Sequence, residues 1–256
     1  MPKRRIAVLF CAIMFCAFAS PSGAEMNDRL SQEHFGSIQP GAYQAGDTLK
    51  FTLDHYQSDR YQNEYLMRFS GQPEVYVLYA DYGSLGGRVL KYDSGSIVIQ
   101  VAGWGGMTLY TDDSPGGLPA VRMGDSTAPS LGNVSSSQLQ SAADDEAAHL
   151  AYARGTHLTI TADWNTGDGG LRAITFDAME NAARGIDRFA ANPAAHNIFS
   201  QRVTAVAMQT SDKPIIKMQG KTLIVTFNPH RGYEGRASSR AISYALGKLF
   251  AVPTPN

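Results

Sequence analysis

Residues 64–80 read EYLMRFSGQPEVYVLYA, and this stretch decides the fold class. Tyr65, Met67 and Phe69 fall at every second position, the spacing of a strand with one buried face. Turn residues interrupt the pattern, and EVYVLYA, residues 74–80, resumes it with more apolar side chains, as a central strand does. The alternation continues outward in both directions. Upstream, Leu49, Phe51 and Leu53 alternate with polar partners from Thr48 onward. Downstream, residues 88–92 and 96–101 flank Asp93-Ser94-Gly95, where glycine suits a tight hairpin turn, and residues 107–111 add another strand. Short spacing between strands predicts an antiparallel sheet or meander.

The second half changes period. Residues 138–154 carry Leu139, Ala143, Ala147 and Leu150 at helical spacing. Residues 177–190 place Met179, Ala182, Ala183, Ile186, Phe189 and Ala190 on one stripe, and Asn192-Pro193 ends it. Residues 157–162 and 203–208 read as strands, and 214–218 with 222–227 as a hairpin about Gly220. A last helix, 239–250, turns Ile242, Ala245, Leu246, Leu249 and Phe250 inward and takes Ser238 or Ser239 as its cap. The expectation is an α+β fold: an antiparallel sheet-rich N-terminal half and a mixed helix and strand C-terminal half with about three helices. Residues 25–47 read as a polar leader and 48–256 as a single α+β domain, with a possible subdivision at the low-complexity stretch near 126–141.

The first twenty-four residues have the order of an export signal. Lys3, Arg4 and Arg5 precede an apolar run, residues 6–19; Pro21 breaks it, and Ser22-Gly23-Ala24 offers a small-residue cleavage site. The run is shorter than the roughly 20 residues that cross a bilayer, and no later stretch is long enough. The chain is therefore expected to be exported and, once cleaved near Ala24, periplasmic or secreted, without a membrane span. Cys11 and Cys16 are its only cysteines and lie within the signal. A cysteine-free mature chain has no disulfide, thiolate metal site or cysteine nucleophile. Its length lets packing alone hold it, because a chain of this size buries roughly 70% of its unfolded surface. Net charge is −1 for the whole chain and falls further when the basic leader is removed, so nucleic acid is not an expected partner.

Few motifs carry chemistry. Asp93-Ser94-Gly95-Ser96 matches an aspartic protease signature, but a second such aspartate is required and none follows; a hairpin turn explains the same residues. Residues 163–169, DWNTGDG, resemble a calcium loop, yet the twelfth position from Asp163 is Ile174 where a carboxylate is wanted. Glu146 and His149 form one Glu-x-x-His pair where di-metal sites use two, so a solvated helix face is the plainer account. No serine elbow, phosphate loop or zinc motif occurs. No metal or cofactor is expected. Trp104, set among Gly103, Gly105 and Gly106, offers either a sugar-stacking edge or, more plainly, a buried tryptophan beside a bulge. The fullest constellation lies before the last helix. His230, Arg231, Arg236 and Arg240 surround Ser238 and Ser239, and a helix start presents free N–H groups and partial positive charge suited to an anion. The competing account pairs these arginines with acids of the same fold and leaves the serines as caps.

Trp104 to Thr111, continuing to Pro115 and to Gly117-Leu118-Pro119-Ala120, together with the strands from Leu66 to Tyr79 and the ending Gly232-Tyr233-Glu234-Gly235-Arg236 with Ser238-Ser239-Arg240, resemble a domain-of-unknown-function family of exported alphaproteobacterial proteins. The resemblance covers most of the mature chain and implies a periplasmic or secreted α+β domain, but no activity, partner or site residue. The residues themselves then point to a non-catalytic domain that binds an anionic envelope ligand or a partner protein, or is purely structural. The alternative is an envelope hydrolase with an aspartate acid-base pair drawn from Asp93, Asp112 or Asp113.

Overall fold

A computed structural model describes residues 37–56, 63–164 and 167–253, which lie within one compact unit, Phe35–Asn256. The alternating segments of the first half form eight strands: β1 (Gly41–Ala45), β2 (Leu49–Tyr56), β3 (Glu64–Phe69), β4 (Tyr76–Tyr82), β5 (Arg88–Tyr92), β6 (Ile97–Val101), β7 (Met107–Leu109) and β8 (Leu118–Gly124). Each pairs antiparallel with the next, and β8 returns to β1, so the meander closes into a barrel. Closure removes both sheet edges, which an open meander would leave unpaired. The strand residues of one parity fill the interior: Phe51, Leu53, Met67, Leu78, Leu90, Ile99 and Leu109 are fully enclosed, with Tyr43 stacked on Phe51 at 5.2 Å. Two of these strands lie outside the segments predicted from sequence: β1 falls inside the stretch read as a polar leader, and β8 inside a Pro- and Gly-containing run.

Among the described residues four helices follow rather than about three: α1 (Ser136–Arg154), α2 (Gly169–Ala190), α3 (Pro193–Arg202) and α4 (Ser239–Phe250). Asn192-Pro193 ends α2 and also opens α3. Proline needs no N–H partner at a helix start, and the Asn192 side chain accepts from the Ala194 N–H at 2.9 Å. Of the loop with calcium-like spacing, Asn165 and Thr166 lie outside the described residues, and its last part is a helix start: Asp168 accepts from Gly170 and Leu171 at 2.9 and 3.0 Å and so begins α2 before the predicted stripe. Strands β9 (Thr159–Thr161), β10 (Ala205–Thr210), β11 (Ile216–Gln219) and β12 (Thr222–Phe227) form a mixed sheet of order β11-β12-β10-β9, in which β10 runs parallel to both neighbours. The expected hairpin is β11–β12, with Gly220 at φ 61°. Sheet and helices share one apolar core, centred on Phe189, Phe199 and Phe250 with ring centroids about 6 Å apart. A smaller cluster, Leu66, Val75, Val77 and Tyr233, joins the outside of the barrel to a 3₁₀ turn at Gly232–Gly235.

In a closed meander, alternate loops fall at the same end. Glu74 follows β3, Asp93 follows β5 and Asp112 follows β7, so one end of the barrel carries three acids, and that end faces the start of α4.

Candidate functional site

The first turn of α4 leaves backbone N–H groups without helical partners. Ser238 caps it by accepting from the Ala241 N–H at 3.2 Å. The donors of Ser238 itself go to the barrel: its N–H donates to Asp93 Oδ2 at 2.7 Å and its hydroxyl to Asp93 Oδ1 at 2.5 Å. Ser239 repeats the arrangement on Glu74, with the N–H donating to Oε1 at 2.8 Å and the hydroxyl to Oε2 at 2.7 Å, while the Tyr76 hydroxyl adds a third bond. Arg236, buried, donates from Nε to Asp177 and from a terminal nitrogen to the Val75 carbonyl at 2.7 Å. The helix start thus does hold anions, and they are the protein's own carboxylates. Burial pushes the Asp93 carboxyl up, against the two bonds from Ser238 that favour its charged form.

The six residues grouped by sequence therefore separate. Arg236, Ser238 and Ser239 are engaged within the seam between barrel and helices. Arg231 pairs with Glu234, and the exposed His230 has its N–H on Asn228 Oδ1 at 3.0 Å, beside the 3₁₀ turn. Arg240 reaches a groove along the seam. Its guanidinium lies 4.7 Å from the Tyr92 ring centre and donates to Asp112 Oδ1 at 2.8 Å. Arg188, from α2, donates to the other Asp112 oxygen at 2.7 Å. Sequence reasoning missed Arg188 because it sits on the polar side of an ordinary amphipathic stripe. The groove measures about 670 Å³ and is walled by Tyr92, Tyr110 and Tyr244, with Ser94 and Gln100 as further polar groups. Burial pushes the Tyr92 hydroxyl up to about 12, so it is a neutral donor at physiological pH.

On the far side of Arg188 lies a second groove of about 640 Å³, lined by Glu74, Glu146, His149, Glu180 and Arg184. Glu180 pairs with Arg184 at 2.5 Å and shares a hydrogen bond with Glu146; burial first, then the neighbouring Glu146, raises its carboxyl above the ordinary value. Glu146, half-buried, and His149, exposed with Asp144 and Asp145 on the solvated side of α1, line this open groove, and among the described residues no group of three or more acids and histidines is arranged to hold a metal ion.

The aspartates considered for acid-base work are placed differently. Asp93 is a turn residue with both oxygens on Ser238, the β5–β6 hairpin turning at Gly95 with φ 92°. Asp112 is held between two arginines, and Asp113 is exposed beside it. Trp104 is not buried but exposed, its ring lying over Gly106.

A closed barrel whose end loops clamp a helix start, with a groove along the seam, defines an α+β domain built around an internal joint. The sequence matches the family described as Domain of unknown function (DUF4908) over residues 25–246, and the chain belongs to that family. No curated protein and no solved structure matches it. Among the described residues no helix is long and apolar enough to cross a membrane.

Proposed function

We propose that the protein is an exported binding module and that its ligand is an anionic sugar, bearing a carboxylate or phosphate, held in the groove at Arg240. One observation carries this reading: Arg188 and Arg240 share the single carboxylate of Asp112, so two positive charges meet one negative charge at the edge of a cavity. A ligand anion completes that set, because guanidinium groups are forked donors suited to oxyanions. The tyrosine walls supply flat apolar faces for a sugar ring and hydroxyls for its edges. The leader order of basic, apolar and small residues supports export, and a fragment of cell-envelope glycan fits both features.

The test is calorimetric titration of residues 25–256 with N-acetylmuramate and a sugar phosphate, against the corresponding neutral sugars. Binding of the anionic forms should weaken about tenfold or more in Arg188→Gln, the expected effect of losing a hydrogen bond to a charged group. Equal affinity for neutral sugars, or an unchanged Arg188→Gln, would overturn the reading.

The Glu146–Glu180 pair favours a second reading, an envelope hydrolase that uses glutamates in place of the aspartates first considered. Burial and the neighbouring Glu146 raise the Glu180 carboxyl above its ordinary value, and two adjacent carboxyl groups in unlike surroundings are what acid-base hydrolysis uses. Turnover of a glycan or peptide fragment that disappears in both Glu180→Gln and Glu146→Gln would favour it over simple binding.

A further inference from the structure

The barrel has a second end, opposite the loops that meet α4. There the loops after β4 and β6, residues 83–87 and 102–106, rest on each other. A side chain added at Gly103 would meet the Leu85 carbonyl oxygen at 2.5 Å, and one at Gly87 would meet the Val101 carbonyl oxygen at 2.5 Å. Each loop is also tied within itself. Gly83 donates to the Gly87 carbonyl at 2.9 Å, and Ala102 to the Gly106 carbonyl at 2.8 Å. These are fixed turns, and what projects from them is held in place.

What projects is apolar. Tyr82 is 80% exposed, Leu85 99% and Trp104 80%. Leu85 is also held in the left-handed region, at φ 54° and ψ 41°, where a side chain costs energy and glycine would not. The Trp104 ring has one face over Gly106, where an added side chain would meet it at 2.1 Å. Beside them the Arg88 guanidinium stacks on the Tyr82 ring at 4.1 Å, and the nearby Asp81 is paired with Lys91 at 2.8 Å. Among the described residues the tip therefore combines three outward apolar side chains with a cation whose acidic neighbour is already paired.

We propose that this end of the barrel docks on an anionic lipid bilayer, placing Leu85, Trp104 and Tyr82 at headgroup depth and Arg88 among the lipid phosphates. Tryptophan and tyrosine favour the membrane interface because each pairs an apolar body with a polar edge, and arginine keeps its charge at the surface while its stem follows them in. The two grooves at the other end do not include these residues, so the tip offers projecting area rather than a shaped pocket. A bilayer requires apolar area and opposite charge, and the tip has both.

The experiment is flotation of residues 25–256, which contain every described strand and helix, with vesicles of phosphatidylcholine alone and of phosphatidylcholine mixed with phosphatidylglycerol. The protein should float with the anionic vesicles, less so at high salt. The double variant Leu85→Gly, Trp104→Ala should bind about a hundredfold more weakly, as expected for removing two apolar anchors. Because glycine relieves the backbone at position 85, its melting temperature should not fall enough to explain that loss. Arg88→Gln should lose the preference for anionic lipid. In a Trp164→Phe background, Trp104 emission should shift to the blue on the vesicles. No flotation with either composition would overturn the proposal, as would undiminished binding by the double variant. A wild-type dimer in light scattering that the double variant breaks would also overturn it, by assigning the tip to a contact between copies.

Discussion

Replacing Ser238 by alanine probes the joint between barrel and helix where the chemistry is densest. The hydroxyl of Ser238 accepts from the Ala241 N–H at 3.2 Å and donates to Asp93 at 2.5 Å. Losing the first bond removes a helix cap, at about 1 kcal/mol. Losing the second withdraws one of the two bonds that Ser238 gives the Asp93 carboxylate, at about 2 kcal/mol for a charged acceptor. The expected loss is about 3 kcal/mol, read as a lower urea midpoint at pH 7 with an unchanged denaturant slope. Ser135→Ala is the internal control. Ser135 caps α1 with a reciprocal Gln138 bond but is exposed and touches no buried acid, so it should cost only about 1 kcal/mol. Combining Ser238→Ala with Asp93→Ala should show a coupling of about 1–3 kcal/mol. Equal losses for Ser238→Ala and Ser135→Ala, or a coupling near zero, would refute the claim that the barrel's carboxylate holds the helix start.

Other perturbations test other parts of the fold. Gly185→Ala should destabilise by about 1–3 kcal/mol despite alanine's better helix propensity, since its side chain would meet Ile242 at 2.6 Å between α2 and α4; a stabilised variant in thermal melting would show that the helices can part freely. Phe199→Ala should cost about 3–5 kcal/mol by opening the space between Phe189 and Phe250, measurable by chemical denaturation. Glu180 has a folded-state value raised above 4.5, so its contribution to stability is full below that pH and is lost as pH rises through the raised value. Glu180→Gln should therefore gain stability relative to wild type as pH increases from 4.5, and parallel pH profiles would contradict the raised value.

Much of the architecture was legible because side-chain period reports local geometry directly. Phe51 with Leu53, and Met67 with Phe69, alternate into the barrel core; Met179, Ala182, Ile186 and Phe189 stripe the buried face of α2. Gly95 and Gly220 mark their hairpins because positive φ is inexpensive only there. The misses have local causes too. β1, GAYQA, is too short and polar to stand out, and its pairing with β8 links residues about eighty apart in sequence. Helix α3 was hidden because a proline that ends one helix can also begin the next. Trp104 was expected inside, and nothing local tells a buried tryptophan from one perched on a glycine turn.

The sequence by itself determined most of the elements, the α+β class and the family, since these depend on residue order and spacing along the chain. It also supplied a basic helix start with serine caps. Only the tertiary structure decided what that start binds. Closing the meander puts Glu74, Asp93 and Asp112 on consecutive loops of one barrel end; Glu74 and Asp93 then take the serines, Asp177 of α2 and the Val75 carbonyl take Arg236, and Arg240 and Arg188 are left to share Asp112 at the groove. Hydrogen bonds and ion pairs depend on distances of a few ångströms between residues 59 to 165 positions apart, and that proximity is a property of the closed fold rather than of any segment within it.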